Sequence, residues 1–334
     1  MIPSLDELLA AAVPYALPLR VPFRGLRVRE GIIIKGPSGW GEFAPFDDYD
    51  HARASRWLDA AIEAAWGTWP AQVRDSIEVN AIIPAVDSTR AAVLAREAIG
   101  EFGCTTIKVK VGGALADDEA RIASVRDALD SAGVDGRIRL DVNAAWTIEQ
   151  ASSALRRWIP YGIEYVEQPC ADLADVIRVR ESVEIPVAVD EVIRLSPAPD
   201  RLELKGRVDY AVVKPMTLGG AHATLRLATT IGVPVVVSGS LDTAVGLSTC
   251  LAAAAALPDL PLASGLGTGS LFERDLTDPI VLPRQGRIAV RRYAPDLDAF
   301  LAATDAMSEE RGQWWRGRLA DAYARSVDSS RVQG

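Results

Sequence analysis

Two lysines and three carboxylates end successive apolar runs of this chain. They are Lys110 in TIKVKV, Asp141 in IRLDVN, Glu167 in IEYVEQP, Asp190 in IPVAVDE and Lys214 in DYAVVKP. Neighbouring members are 23 to 31 residues apart, about one strand, loop, helix and loop. Charged side chains are rarely buried without a partner, yet each of these terminates a run that reads as buried parallel strand. A β/α barrel gathers the C-terminal ends of its strands into one mouth, where all five would meet. Oxygen donors from three separate strands, with no histidine or cysteine among them, suit Mg²⁺ or Mn²⁺ better than zinc. Lysines beside them suit proton transfer.

Lys108 and Lys110 are two residues apart and so share one face of their strand, while Ile107, Val109 and Val111 take the other. With the apolar face against helices, both lysines point into the barrel. Burial, a like charge and a nearby dication all lower a lysine pKa and free the amine to act as a base. Lys214, before Pro215, is expected across the barrel from Lys110, either exchanging a proton there or stabilising charge. Asn143 shares the face of Asp141, and Glu191 adjoins Asp190; both are candidates to orient the ligands, and Glu191 is also a candidate ligand in place of Asp190. His51 and His222 lie away from strand ends, which leaves the proton work to lysine.

Glycine-rich turns follow the last two strand-like runs: Ser238-Gly239-Ser240, and Gly265-Leu266-Gly267-Thr268-Gly269. Their amides either hold an anionic group of a substrate or merely shape the turn. Arg24, the one cation in Phe23-Arg24-Gly25, is a further candidate partner for a substrate carboxylate.

The elements that must position these residues follow from periodicity. Strand-like runs lie near 77–83, 105–111, 137–142, 163–167, 186–190, 209–214, 233–238 and 262–266, with helical stretches between them. Eight in about 190 residues favour a barrel. An open doubly wound sheet would instead put its active residues at one switch point. Before about residue 75 the text is β-rich (LPLRV, then LRVREGIIIKG), turns at Gly36-Pro37-Ser38-Gly39 and enters an amphipathic helix after Asp50, a plausible N-cap. After Phe272, PIVLP and RIAVRRY read as strands and two helices close the chain. This tail is expected to pair with the N-terminal part, anchored by Trp314 and Trp315. The expected class is α/β: a modified TIM-type (β/α)7β barrel over 76–274, with an α+β capping domain made from both termini, 1–75 and 275–334.

A chain of 334 residues, 49% hydrophobic, is long enough for this arrangement. The formal charge of −9 argues against a general nucleic-acid surface. Cys104, Cys170 and Cys250 are too few for a disulfide framework or a zinc site. Asp6 and Glu7 stand where a signal peptide would be positive, and the apolar run Leu251–Leu257 is too short to span a bilayer. The expectation is a cytoplasmic protein acting on a small-molecule carboxylate, with no nucleic-acid or membrane partner.

Taken together, KxK, DxN, EQP, DE and the sixth-strand lysine resemble the enolase superfamily in its muconate-lactonising subgroup, over nearly the whole chain. VPFRG…VREG, APFDDYDH, SGSLDTAVGL and GLGTG are similar to the actinobacterial-type o-succinylbenzoate synthases. That resemblance implies a Mg²⁺-dependent lyase of menaquinone biosynthesis, which dehydrates 2-succinyl-6-hydroxy-2,4-cyclohexadiene-1-carboxylate to 2-succinylbenzoate with syn geometry. It implies that Lys110 removes the proton α to the carboxylate and then assists loss of hydroxide, as lysine bases do in this superfamily. It further implies a Lys214 cation over the opposite ring face, with Lys108 and Asn143 tuning the site. N-succinylamino acid racemases and dipeptide epimerases share the whole set. The epimerases commonly carry Asp-x-Asp at the eighth strand, where this chain reads SGLGTG. A non-catalytic barrel would be expected to have lost a ligand or a lysine, and all five are intact.

Overall fold

A computed structural model describes residues 3–332, with side chains to residue 326. The outermost positions of the expected capping domain, 1–2 and 333–334, lie outside the described residues. Strands β1 (Ala12–Phe23), β2 (Leu26–Gly36) and β3 (Gly39–Phe43) form an antiparallel sheet in chain order. The β1–β2 loop is only Arg24 and Gly25, and both have positive φ, 50° and 78°. That is the two-residue hairpin geometry whose twist matches the flanking strands, so the tip is held in one shape. The helix His51–Trp66, capped by the Asp50 carboxylate on the Arg53 amide, lies directly on this sheet. Gly41 permits the contact: a Cβ there would stand 2.1 Å from the Ala61 carbonyl oxygen.

All eight apolar runs of the barrel segment form strands: β4 (Ser76–Ile83), β5 (Thr106–Lys110), β6 (Arg137–Asp141), β7 (Ile163–Glu167), β8 (Val187–Val189), β9 (Tyr210–Val213), β10 (Val235–Val237) and β11 (Ser264–Gly267). They pair in parallel in the order β10-β9-β8-β7-β6-β5-β4-β11. The sheet curls until its ends meet at a single parallel bridge, Ser238 to Gly265. Helices cross between the strands, but the β8–β9 crossover carries only the single α-turn Glu191–Arg194 and a short 3₁₀ turn. The helix Ala244–Ala256, between β10 and β11, is buried along its entire length. Among the described residues, no helix is long and apolar enough to cross a membrane.

Two expectations for the tail are corrected. PIVLP is not a strand, consistent with prolines at both ends that cannot donate to a ladder. Of RIAVRRY, only β12 (Arg287–Ala289) is a strand, and it pairs antiparallel with β4 instead of with the N-terminal sheet. β11 meets β4 only from Val79 onward, which leaves the Ser76–Glu78 edge open for β12. The closing helices Leu297–Asp305 and Glu309–Val332 do return to the N-terminal part. Trp315 is buried there, edge-on to Phe43, with its indole N–H donating to Glu30 at 3.1 Å. Trp314 is 37% exposed under Arg311 and Arg318, so it is no core anchor.

Strand alternation divides the barrel strands between two environments. Ile107, Val109, Val166 and Val189 join the large core under the helices. Tyr165, Ala188, Val212 and Val236 form a separate plug inside the barrel. Beside that plug the buried Arg139 guanidinium bridges to Asn80 of β4 at 2.9 Å, the Ala263 carbonyl at 2.6 Å and Glu164 at 2.5 Å. Trp315→Ala should destabilise the protein by about 3–5 kcal/mol, the usual range for a buried tryptophan. Chemical denaturation read by far-UV circular dichroism measures it, and a loss below about 1 kcal/mol would remove the anchoring role from Trp315.

Candidate active site

Register alone brings the first three charged residues together. Lys110 is the lateral partner of Asp141, and Asp141 of Glu167, so the three stand in one row across β5, β6 and β7. Their side chains point into the barrel mouth, with Lys108 one step deeper. Lys108 Nζ lies 2.8 Å from Asp141 Oδ2 and 2.7 Å from each Glu167 oxygen, but it is aligned as a donor only to Oε1 of Glu167. Lys110 Nζ donates to Asp141 Oδ2 at 2.6 Å and to the Asn143 side-chain oxygen. Across the mouth, Lys214 Nζ donates to Asp190 Oδ2 at 2.7 Å. Lys110, Lys214, Asp141 and Asn143 line one pocket of about 490 Å³, counting the part open to solvent.

Burial and charge push these groups in different directions. Burial lowers Lys110 below the ordinary lysine value and outweighs the pull of Asp141. For Lys108, burial is overcome by Asp141 and Glu167, which hold it well above that value. Burial also works against ionised Asp141, but Lys108 and Lys110 hold its carboxyl well below the usual range. Lys214 and Arg194 likewise overcome burial at Asp190 and lower it. Glu167 is pushed up to about 7, by burial and then by the charge of Asp141. It is the carboxylate least compensated by the side chains present.

The carboxylates have unused capacity for a cation. Buried oxygens Glu167 Oε2, Asp190 Oδ1 and Glu191 Oε2 have no aligned hydrogen-bond donor. Among the described residues, no three acidic, histidine or cysteine groups already stand as a preformed ligand cluster. Lys108 bridges Asp141 and Glu167 instead. Hard, anionic donors with free buried lone pairs fit a divalent ion that would take over part of this neutralisation.

A chain of contacts supports the row from behind. The Asn143 amide donates to Glu191 Oε1 at 3.0 Å, and Arg194 donates to the same oxygen at 2.6 Å. Arg194 also reaches Asp190 at 3.3 Å and donates to the Tyr49 hydroxyl of the cap. Asn143 has φ 50°, a left-handed conformation that asparagine tolerates better than most residues. Gln168, with φ 41°, accepts from the Asp190 amide at 2.9 Å and the Val192 amide at 3.3 Å. The sequence reading named neither Arg194 nor Gln168 as a site residue. The signal for Gln168 was present, as the middle residue of EQP.

Residues from the cap close the mouth. The Phe23 ring lies 5.6 Å from Lys110 Nζ, and Arg24 lies over Phe46 at 4.5 Å. Phe23, Arg24 and Phe46 all line the pocket, whereas Asp47 pairs with Arg311 of the C-terminal helix. Asn80 also lines it, and was legible as a polar residue on the inward face of SIEVNAII. His51 and His222 pair instead with Asp321 and Glu63, on partly exposed sites.

Ser238, Gly239, Ser240 and Gly265 line the pocket, but the amides of the Ser238–Ser240 turn are already engaged. The amides of Ser238, Gly239 and Ser240 donate to Val213 O at 2.9 Å, Gly265 O at 3.0 Å and Asp242 Oδ2 at 2.8 Å. The Gly265 carbonyl also accepts from Ser238 Oγ at 3.3 Å. The β9 ladder, the closing bridge to β11 and the turn's own Asp242 consume these three donors in turn. The Ser240 hydroxyl is buried and without a partner.

Residues 14–65 match the enolase N-terminal domain-like family and residues 90–295 the enolase C-terminal domain-like family. The chain is 46% identical to the o-succinylbenzoate synthase of Thermobifida fusca over 83% of its length and 86% of that protein's. It is 43% identical to the o-succinylbenzoate synthase of Mycolicibacterium smegmatis over 97% of its length and 98% of that protein's. Among solved structures, it is similar to muconate lactonizing enzyme from Pseudomonas fluorescens, with a TM-score of 0.71 at 20% identity, covering 91% of this chain and 97% of that one. The L-Ala-D/L-Glu epimerase of Bacillus subtilis has a TM-score of 0.70 at 23% identity, covering 85% and 96%. Those two likenesses speak to the shared fold, a barrel under a cap. The strand-end lysines and carboxylates, the cap over the mouth and the near full-length relatives agree: the chain belongs to the enolase superfamily and, within it, to the o-succinylbenzoate synthase family.

Proposed function

We propose that this chain is an o-succinylbenzoate synthase, a lyase of menaquinone biosynthesis that removes water from 2-succinyl-6-hydroxy-2,4-cyclohexadiene-1-carboxylate. The observation that carries the reading is 43% identity over 97% of the chain to a protein of that name. The pair Lys110 and Lys214 in one pocket supports it. The reaction moves one proton twice. Lys110, as neutral amine, takes the proton from the ring carbon that bears the carboxylate. The electron pair enters the ring, the neighbouring C–O bond breaks, and hydroxide leaves as water with the proton from Lys110. The opposite pKa directions of Lys108 and Lys110 fit this division: Lys108 stays a fixed cation and Lys110 is the base. Lys214 stabilises charge from the other face of the ring.

Asp141, Glu167 and Asp190 would hold Mg²⁺, with Mn²⁺ an alternative, and Asn143 and Glu191 would orient Lys110 and the ligands. When bound, the ion supplies positive charge where negative charge develops on the substrate carboxylate. Arg24 and the Ser240 hydroxyl are the donors we assign to substrate carboxylates. A soluble dicarboxylate substrate and a net charge of −9 fit a cytoplasmic enzyme without nucleic-acid or membrane partners.

The lysine pair also favours a second reading, N-succinylamino acid racemisation, in which Lys110 and Lys214 alternate as acid and base. A dipeptide epimerase is less well supported, since β11 reads SGLG and carries no acidic pair.

Exhaustive chelation should abolish turnover, and Mg²⁺ or Mn²⁺ should restore it. Asp190→Asn should lose most activity and keep its thermal unfolding curve. Full turnover by enzyme with negligible metal content would refute the ligand assignment. Lys110→Ala should lose about 10²–10⁴-fold in kcat, the usual contribution of a positioned acid–base group. The isomerase reading is checked in D₂O: wild-type enzyme that dehydrates the diene yet leaves the α-proton of N-succinyl amino acids unexchanged is a dedicated synthase. Arg24→Met should reduce kcat/KM by about 1.5–3 kcal/mol with thermal stability nearly unchanged. Wild-type kinetics in that variant would move the carboxylate contact elsewhere.

A further inference from the structure

Arg29 is a cap residue on β2, and it is only 2% exposed. A buried guanidinium usually meets a carboxylate, because its charge is expensive to desolvate. Here its hydrogen bonds go to carbonyl oxygens: Leu241 O at 2.9 Å, Ser240 O at 3.4 Å and Ala44 O. Its face also lies 4.7 Å from the Phe46 ring, which carries Arg24 on its other contact. One side chain therefore touches a cap loop at the mouth and the barrel turn after β10.

That turn needs holding. Leu241 has φ 60°, in the left-handed region that a branched side chain avoids. The residues on either side are pinned. Asp242 Oδ2 accepts from the Ser240 amide at 2.8 Å. Glu42, from β3 of the cap, accepts from the Thr243 amide at 3.1 Å, the Thr243 hydroxyl at 2.9 Å and the Gly246 amide at 2.9 Å. Within this clasp the Ser240 hydroxyl is buried at the pocket wall with no partner. An unpartnered hydroxyl held this firmly is poised for a ligand oxygen.

We infer that Arg29 is a positioning residue, which fixes the 238–242 turn from the cap so that Ser240 meets a carboxylate of the bound substrate. This rests on the proposed synthase activity for the identity of the ligand. Arg29 itself touches neither substrate nor reacting atoms. Its loss should therefore weaken binding much more than chemistry, which resides on Lys110 and the carboxylate row.

The test uses the metal-loaded full-length protein with Arg29→Met and Arg29→Lys. For Arg29→Met the expected result is a KM raised about tenfold, the scale of one or two lost hydrogen bonds, with kcat within about threefold of wild type. Arg29→Lys, which keeps the charge but not the planar fork, should fall between and serves alone if the methionine variant does not fold. Hydrogen exchange at the amides of residues 240–242 should speed up while that of Lys108–Lys110 is unchanged. An unchanged KM in a folded variant overturns the proposal. So does a fall in kcat at constant KM accompanied by faster exchange throughout the barrel, which marks general destabilisation. If wild-type protein does not dehydrate the diene, the activity reading fails by itself. Local exchange at the turn then still decides the role of Arg29.

Discussion

Desolvation of three carboxylates on neighbouring strands is the constraint around which the mouth of this barrel is organised. Asp141, Glu167 and Asp190 are each at most 2% exposed, and an isolated buried carboxylate is unstable as an anion. Lys108, Lys110 and Lys214 answer that need in the structure, with Arg194 contributing to Asp190. The answer is incomplete at Glu167, whose carboxyl burial and Asp141 push up to about 7. A divalent ion would complete it, and would release the lysines from serving mainly as counterions. Structural charge balance and the proposed catalysis thus draw on the same residues.

The same constraint explains what was legible in the sequence. A charged residue at the end of an apolar strand is conspicuous because it violates the burial rule, and all five strand-end positions were found that way. The eight barrel strands were legible too, since their apolar runs, spaced by helical stretches, survive in the linear text. Arg29 and Arg194 were not, because nothing in LRVREG or VDEVIR distinguishes a buried arginine from a solvated one. Their burial is created by residues more than a hundred positions away, such as Leu241 for Arg29 and Tyr49 for Arg194. For the Ser238–Ser240 turn the sequence left two readings open, amides that hold an anion or amides that merely shape the turn. Glycine content shows that backbone donors are close together, but not that β9, β11 and Asp242 have already used them.

Contact between cap and barrel follows one repeated device. Barrel helices begin with unsatisfied amides, and the cap supplies carboxylates to them from outside their own sequence. Glu63, on the cap helix, accepts from the Ala221 amide at 2.6 Å at the start of the helix Ala221–Thr230, whose own N-cap, Gly220, has no side chain. A Cβ at Gly220, which also has φ 108°, would fall 2.6 Å from that carboxylate. Glu42 does the same for the helix after β10, where a Cβ at Gly246 would stand 2.1 Å from its Oε2. Asp275, beyond β11, adds a further acceptor for the Ala244 amide at 3.0 Å.

These docking points lie beside the two crossovers that flank β10, so they fix the cap where its loops reach the mouth. Phe23 and Arg24 sit on a two-residue hairpin whose geometry leaves little freedom, and Phe46 is held between Arg24 and Arg29. Part of the pocket wall is therefore built from cap side chains, on a cap that is docked at helix N-termini of the barrel. Such an arrangement separates two tasks. The barrel strands, through register and burial, place the lysines and carboxylates. The cap adds a small set of aromatic and arginine side chains to the pocket rim. Cap side chains can then differ while the lysines and carboxylates remain in place, and the same fold is found in a muconate lactonizing enzyme and an epimerase.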